Sequence, residues 1–598
     1  MPKTMQPYGT WESPLSPKSL AAGTRLEAPR FDTDGQTVVW LEGRSGQGVL
    51  VTQNLAVADA PRDLTAHLSV RAEVGYGGGD FAVHSGCVYF VVNRQGRLYG
   101  QNISQGDAAA ITPAAGKAAS PAPSPDGKWV AYVHHDEEEI DRLVVVDVEG
   151  SHWPQVLTSG ADFYMQPRFS PDGKHLVWVE WDHPNMPWDG TRLCLADVEQ
   201  PAGSLLPRLA NIRTIAGGDD IAIFQGEFTP DGRLLYVSDE TGWSRLTIHD
   251  LQSNDKRWLS PEGVECGSPA WMQDRRTYAV SASGKFAVVA FNENAVQRLM
   301  RVDLESGDAH AVEALAGYTA VEHITASPTG ERIAFWGSSA TQSPRLVAHD
   351  FDTGETRILA RSSGETIVPA RLSDAEAICW PTGEGETAHG LFFPPASEEF
   401  SSPGAPPLVV WVHGGPTGQV LAGWRSEFQF LTTRGYAVLA VNYRGSTGHG
   451  REYMLKLRGN WGICDVEDSI SGVQHLAAQG RIDPARTVIM GGSAGGFTVL
   501  QTMAHHPEAF TAGICLFGVA DQFHLASMTH KFESRYLDSI LGPLPAAADI
   551  YRQRSPINFA DRIRRPLAIF QGEIDQVVPQ AQSDMIAEAL QRSGTPHV

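Results

Sequence analysis

The strongest chemical signal in the chain is one short stretch. Residues 487–490 (TVIM) are followed by Gly491-Gly492-Ser493-Ala494-Gly495-Gly496 and then by FTVLQTMA. An apolar run suited to a strand, a serine between glycines, and a run with apolar residues at helical spacing make a sharp strand-to-helix corner. Such a corner lifts the Ser493 hydroxyl clear of the sheet, and Gly491 and Gly495 leave room for the turn. The GxSxG pattern alone is weak evidence in a chain with 60 glycines, because a helix start packed close to a strand also uses it. A nucleophilic serine needs a base, the base needs an orienting acid, and the developing oxyanion needs donors. In this arrangement the acid follows a later strand. Residues 567–579 (LAIFQGEIDQVVP) offer Asp575, just past Gly572, with Glu573 as the second candidate. An Asx turn or a helix cap is the structural alternative for Asp575. The expected oxyanion donors are the amide of Ala494, directly after the nucleophile, and that of Gly415 in HGGP (413–416). His413 precedes Ser493 and belongs to that turn, which makes it a poor base.

The elements that must hold these residues alternate. Residues 407–412 (PLVVWV), 437–441 (AVLAV), 487–490, 512–516 (AGICL) and 567–570 (LAIF) read as buried strands. Val466, Ile470, Val473, Leu476 and Ala477 recur at helical spacing and are closed by Gly480. Strand–helix alternation predicts an open parallel sheet covered on both faces, with its chemistry at the carboxyl ends of the strands. Asp465 and Asp468 stand at the start of a helix and read as structural caps. Arg444 reads as serving its own turn.

The first half repeats instead. A Gly-ending turn followed by a β-branched and aromatic run recurs at Gly35, Gly86, Gly127, Gly173, Gly232, Gly284 and Gly330, at intervals averaging about 49 residues. SPDGKWVAYV and SPDGKHLVWV are the clearest copies; those at Gly86 and Gly284 lack the Ser-Pro-Asp-Gly form. Pro presets φ, Asp bonds its own backbone, and Gly supplies positive φ. The period fits one four-stranded propeller blade; an array of β-sandwiches is the alternative. The expected organisation is an N-terminal segment 1–24 packing on the second domain, a seven-bladed β-propeller over 25–385, a Pro-, Gly- and Ser-rich crossover over 386–406, and an α/β-hydrolase domain over 407–598.

A length of 598 residues requires at least two domains. The formal net charge of −22 repels phosphate backbones and anionic lipid, so nucleic acid and membrane are poor partners. Six scattered cysteines without a CxxC pair exclude a disulfide framework and a zinc ribbon. The N-terminus has no apolar signal core, and no run reaches the length of a membrane span, which points to the cytoplasm. Homo-oligomerisation is left open.

Together HGGP (413–416), NYRGSTGHG (442–450), Trp461-Gly462 with Asp465, Val466 and Asp468, GGSAGG (491–496), SPIN (555–558) and GEIDQVVP (572–579) resemble the catalytic domain of the prolyl oligopeptidase family of serine peptidases. The nearest branch is that of acylaminoacyl peptidase-like and dipeptidyl aminopeptidase-like enzymes. The resemblance implies hydrolysis of short peptides through a serine acyl-enzyme, beneath a propeller that excludes folded proteins, with no metal or organic cofactor. Ser493 would attack, the Ala494 and Gly415 amides would hold the oxyanion, and Asp575 would orient a histidine. In the family that histidine follows the aspartate by roughly thirty residues, after one more strand. His597 is the only histidine after Asp575, and it stands where the last strand would begin. The expectation is therefore a C-terminally incomplete chain, lacking its last strand, its histidine and its final helix. Such a chain would be inactive as it stands, while a longer natural form would be active. In the dipeptidyl branch a pair of propeller glutamates grips the substrate amine. Residues 136–139 (DEEE) could serve so or form a solvated loop, and residues 181–190 (WDHPNMPWDG) could face the substrate or simply pack. A carboxylesterase using the same serine and a catalytically dead propeller interaction protein are the competing functions.

Overall fold

The computed structural model describes residues 3–21, 23–57, 59–201, 203–364 and 367–598; residues 1, 2 and 22 of the N-terminal segment lie outside the described residues. Seven four-stranded antiparallel sheets make the propeller. The first blade is Arg25–Phe31, Thr37–Arg44, Gln47–Asn54 and Arg62–Asp63, and the seventh ends with Thr356–Arg361. All seven repeat glycines, including Gly86 and Gly284, sit between the first and second strands of their blades, at φ of 67–87°. In the Ser-Pro-Asp-Gly copies the serine closes the turn. Ser124 Oγ donates to Asp126 Oδ1 (2.7 Å) and accepts from Trp129 N (3.0 Å), and Ser170 does the same with Asp172 and His175. The ring closes where Leu26, Val38 and Trp40 of the first blade pack on Ala334, Leu346 and Ala348 of the seventh.

The second domain is built on a seven-stranded sheet. Its strands are β1 (Glu376–Pro381), β2 (Thr387–Phe393), β3 (Leu408–Val412), β4 (Ala437–Asn442), β5 (Thr487–Gly492), β6 (Ala512–Leu516) and β7 (Leu567–Phe570), in the spatial order 1-2-4-3-5-6-7. Strands β3 to β7 pair in parallel, as an α/β-hydrolase requires, with β5 beside β3 and β6. The helices α1 (Cys464–Ala478), α2 (Ala494–His505) and α3 (Ala581–Ser593) cover it.

Two expectations need correction here. The stretch 386–406 is not simply a crossover, and the propeller does not run to 385. Strands β1 and β2 form an antiparallel hairpin that joins the hydrolase sheet through β4, so the sheet is mixed. The run of β2 (TAHGLFF) pairs along β4 from His389 to Phe393, and only the Pro- and Ser-rich residues after Phe393 connect. The Asp465 and Asp468 carboxylates are not helix caps. Asp465 accepts from Gly462 N (2.6 Å) and Thr498 Oγ1 (2.5 Å), and Asp468 accepts from Arg444 N (2.6 Å) and Thr382 Oγ1 (2.7 Å). These carboxylates tie α1 to α2 and to the turn after β4, rather than satisfying the first amides of α1.

The N-terminal residues lie on the hydrolase domain: Thr4–Met5 pairs in parallel with Phe400–Ser401, and Ser13 Oγ meets Thr433 Oγ1 at 2.7 Å. Among the described residues no helix is long and apolar enough to cross a membrane.

Candidate active site

Ser493 follows β5 and precedes α2, at φ 55° and ψ −121°. This is a left-handed backbone for a residue with a Cβ, and strain of this kind persists only where the surroundings impose it. The surroundings are backbone. A Cβ on Gly495 would lie 2.1 Å from the Val412 carbonyl oxygen, and one on Gly491 would lie 2.5 Å from that of Gly495. A Cβ on Gly496 would come within 2.6 Å of Gly518 Cα. The Ser493 amide donates to Leu516 O (3.0 Å), and its carbonyl accepts from Phe497 N (3.0 Å). The hydroxyl is left half-buried on a cavity wall.

The turn after β3 lies against this corner. A Cβ on Gly414 would be 3.4 Å from Ser493 Cβ and 3.9 Å from the Ala494 nitrogen. Gly415, at φ 128°, is the next residue of that turn. Ala494 begins α2, so its amide has no partner within the helix and sits at the positive end of the dipole. The turn after β3 and the start of α2 thus pack against one another at the Ser493 corner. His413 is occupied elsewhere. Its Nε2 meets Ser446 Oγ (2.8 Å), its Nδ1 meets Gly414 O (2.8 Å), and its ring stacks on Tyr443 at 4.4 Å. Burial pushes its pKa down to about 4, so it is a neutral support for the turn.

Asp575 follows β7, two strands from β5. At a strand spacing of about 4.8 Å the two strand ends are on the order of 10 Å apart, a gap that one imidazole with its hydrogen bonds can span. Its Oδ1 accepts from Val577 N (2.9 Å) and Val578 N (3.0 Å). The Asx-turn alternative therefore describes one oxygen of the carboxylate; the other is not committed to the turn. Glu573 is exposed in the same turn. Among the described residues no imidazole bonds Ser493 or Asp575. His597 pairs with Leu567 at the start of β7, at the opposite end of the strand from Asp575, and its Nδ1 faces Thr595 O (2.8 Å).

A cavity of about 660 Å³ lies between the propeller and this edge of the sheet. Ser493, the 413–418 turn and Arg425 line it from the hydrolase side, and Tyr76, Trp271, Arg275, Glu322 and Trp336 from the propeller side. These propeller residues carry little sequence signal. The charged run Asp274-Arg275-Arg276, inside what reads as an ordinary repeat, was the one available. The acidic run at 136–139 is not on this cavity. Asp136 pairs with Arg142, and Glu139 lines a separate hollow. The 181–190 loop is packed between the domains, where Trp188 lies against Trp271 and Tyr536 at 4.4 and 5.7 Å. Arg451 binds the carbonyls of Trp188 (3.1 Å) and Asp189 (2.6 Å). Among the described residues no cluster of three or more His, Cys, Asp or Glu could hold a metal.

Residues 423–598 match the model of the prolyl oligopeptidase family. A puromycin-hydrolyzing peptidase of Mycobacterium tuberculosis superposes with a TM-score of 0.92 at 33% identity, over 100% of this chain and 93% of that one. A puromycin hydrolase gives 0.91 and 32%, over 99% and 93%. Dipeptidyl aminopeptidase BIII of Pseudoxanthomonas mexicana is 29% identical over 404 residues, which is 63% of this chain and 55% of that protein. The human acylamino-acid-releasing enzyme is 31% identical over 32% of this chain and 28% of its own length. The chain thus spans about half the length, or less, of these curated relatives. Shared sequence and shared architecture across nearly all of two solved peptidases place the chain in the prolyl oligopeptidase family of serine peptidases.

Proposed function

We propose that the protein hydrolyses short peptides through an acyl-enzyme formed on Ser493. The observation that carries this reading is the Ser493 corner itself, a strained backbone held by glycine contacts and aimed into a cavity capped by the propeller. The Ala494 and Gly415 amides would bind the tetrahedral oxyanion, where preorganised donors are worth most. Asp575, through its uncommitted oxygen, would fix the tautomer of an imidazole standing between it and Ser493. Neither His413 nor His597 is placed for that role. Folded proteins would be excluded because the cavity lies beneath the seven blades. Six free cysteines suit a reducing compartment, and we infer the cytoplasm.

The test is kcat/KM on peptide anilides, p-nitrophenyl esters and puromycin, the last because two relatives are described as hydrolysing it. Turnover of anilides or puromycin that is lost in Ser493→Ala is the expected result. Turnover of esters alone would make the protein a carboxylesterase. A folded full-length protein with no turnover of any of the three would favour an interaction role.

A further inference from the structure

The Ser493 cavity carries an unbalanced charge. Among the described residues that line it, the charged groups are Arg275, Glu322 and Arg425. Arg275 and Glu322 face one another across 3.1 Å. Arg425 therefore leaves the cavity net positive, in a chain whose formal charge is −22. Its acidic neighbour, Glu427, stands 3.6 Å away, beyond hydrogen-bonding distance, and does not line the cavity. The Arg425 side chain is 43% exposed, which places it at the mouth. From the propeller side, Arg275 spends one nitrogen on Glu322, and its Nε is buried without a partner among the described residues. Glu322 is already flanked by Arg275 and, at 4.0 Å, by His323. The walls thus offer N–H donors from two arginines, and their one acid is taken.

Arg425 is also held in register with the candidate nucleophile. One stretch, 415–425, runs from the turn against Ser493 to Arg425, and it is tied at every second residue from 418 to 424. Gly418 O accepts from Thr447 N (2.9 Å). Val420 N donates to Asn442 Oδ1 (2.7 Å), and Val420 O accepts from Asn442 Nδ2 (3.1 Å); both residues are fully buried. Ala422 N donates to Ala295 O of the propeller (2.8 Å), and Ala422 O accepts from Thr319 Oγ1 (2.5 Å). Trp424 N donates to Ser338 Oγ (3.3 Å). Both domains clamp the segment, so the root of the guanidinium is fixed relative to Ser493. The charge of Arg425 also reaches the turn: after burial, it helps to hold His413 neutral. The next residue, Gly414, packs on Ser493. The cavity volume of about 660 Å³ is that of a site for a small ligand, about 300–1,000 Å³. A peptide that reaches both Ser493 and Arg425 inside it is short.

We propose that Arg425 binds a carboxylate of the substrate, so that the site prefers short peptides with a free C-terminus or an acidic side chain a few residues from the scissile bond. A guanidinium fork meets a carboxylate with two parallel charge-assisted hydrogen bonds. The proposal rests on the peptidase reading for the nature of its ligand, but its test does not need catalysis. In Ser493→Ala, dissociation constants are measured by calorimetry for three pentapeptides with identical N-termini. They are Ala-Ala-Phe-Ala-Ala as the free acid, the same peptide as its carboxamide, and the carboxamide of Ala-Ala-Phe-Asp-Ala. At least one of the two carboxylate-bearing peptides should bind about twentyfold more tightly than the plain carboxamide, and which one does so identifies the source of the carboxylate. Arg425→Met should bring that ratio to about one. Arg425→Lys should keep a ratio of about five, because an ammonium supplies the charge without the fork. Raising the salt from 0.05 to 0.5 M should lower the ratio in the parent protein, since the guanidinium stands at the cavity mouth. Three peptides that bind equally, or none that binds, would overturn the proposal, as would a ratio unchanged in Arg425→Met. Absence of peptide hydrolysis by the unmodified protein, with the binding ratio intact, would count against the peptidase reading alone.

Discussion

The Ser493 corner and the Asp575 turn lie at the same edge of one sheet, yet they are held by different forces. The corner is fixed by exclusion of volume. Gly491, Gly495 and Gly496 stand where any side chain would strike main-chain atoms, so the serine has one available position. The proposed acid is held by hydrogen bonds. Two amides hold one carboxylate oxygen, in a turn whose neighbours Glu573, Ile574 and Gln576 are exposed. The proposed nucleophile is thus held by packing and the proposed acid by polar contacts, and substitutions should separate the two.

The largest effect belongs to the hydroxyl. Ser493→Ala should lower kcat for a peptide anilide in the full-length protein by about 10⁶-fold, leaving the melting temperature unchanged. At the other side of the comparison, Asp575→Asn should cost about 10⁴-fold in kcat. Its stability should be preserved, because an asparagine oxygen accepts the same two amides. Glu573→Gln, the neighbouring candidate, should stay within about twofold, since it is an exposed surface change. If Glu573→Gln proved the more damaging of the two, the acid would be misassigned.

Gly495→Ala sharpens the contrast through stability rather than chemistry. Its Cβ would stand 2.1 Å from a carbonyl oxygen, so overpacking of about 3 kcal/mol is expected in denaturant titration. A neutral result would show that the corner is not set by volume. The smallest effect concerns the support behind the corner. Burial raises the Asp465 pKa to about 6 despite its bonds from Thr498 and Gly462. The folded state then holds this proton up to a higher pH than the unfolded state, so stability falls as pH rises from about 4 to about 6. Asp465→Asn should therefore be neutral near pH 4 and stabilising by on the order of 1 kcal/mol at pH 7.5. A variant destabilised equally at both pH values would contradict that electrostatic origin.

Much of this was legible beforehand because the signals are local. Positive φ at seven turn glycines and the GGSAGG corner are properties of a few consecutive residues, and so are visible in sequence. The β1–β2 hairpin was not legible. Its pairing partner β4 lies some fifty residues on, and the Pro- and Ser-rich residues after Phe393 mask where the strand ends. The roles of Asp465 and Asp468 were misread as helix caps because acids at a helix start usually bond its own first amides, whereas these reach across to α2 and the turn after β4. The residues that wall the cavity from the propeller side come from loops far apart in the chain. Only the fold brings Tyr76, Trp271 and Glu322 opposite Ser493.

The central claim is that Ser493 is an activated nucleophile. The direct measurement is labelling of the full-length protein with a fluorophosphonate, followed by peptide mapping of the adduct. The expected result is one adduct, on Ser493, lost in Ser493→Ala and slowed by an excess of short peptide. A folded protein that takes no label, or takes it equally after Ser493→Ala, would contradict it.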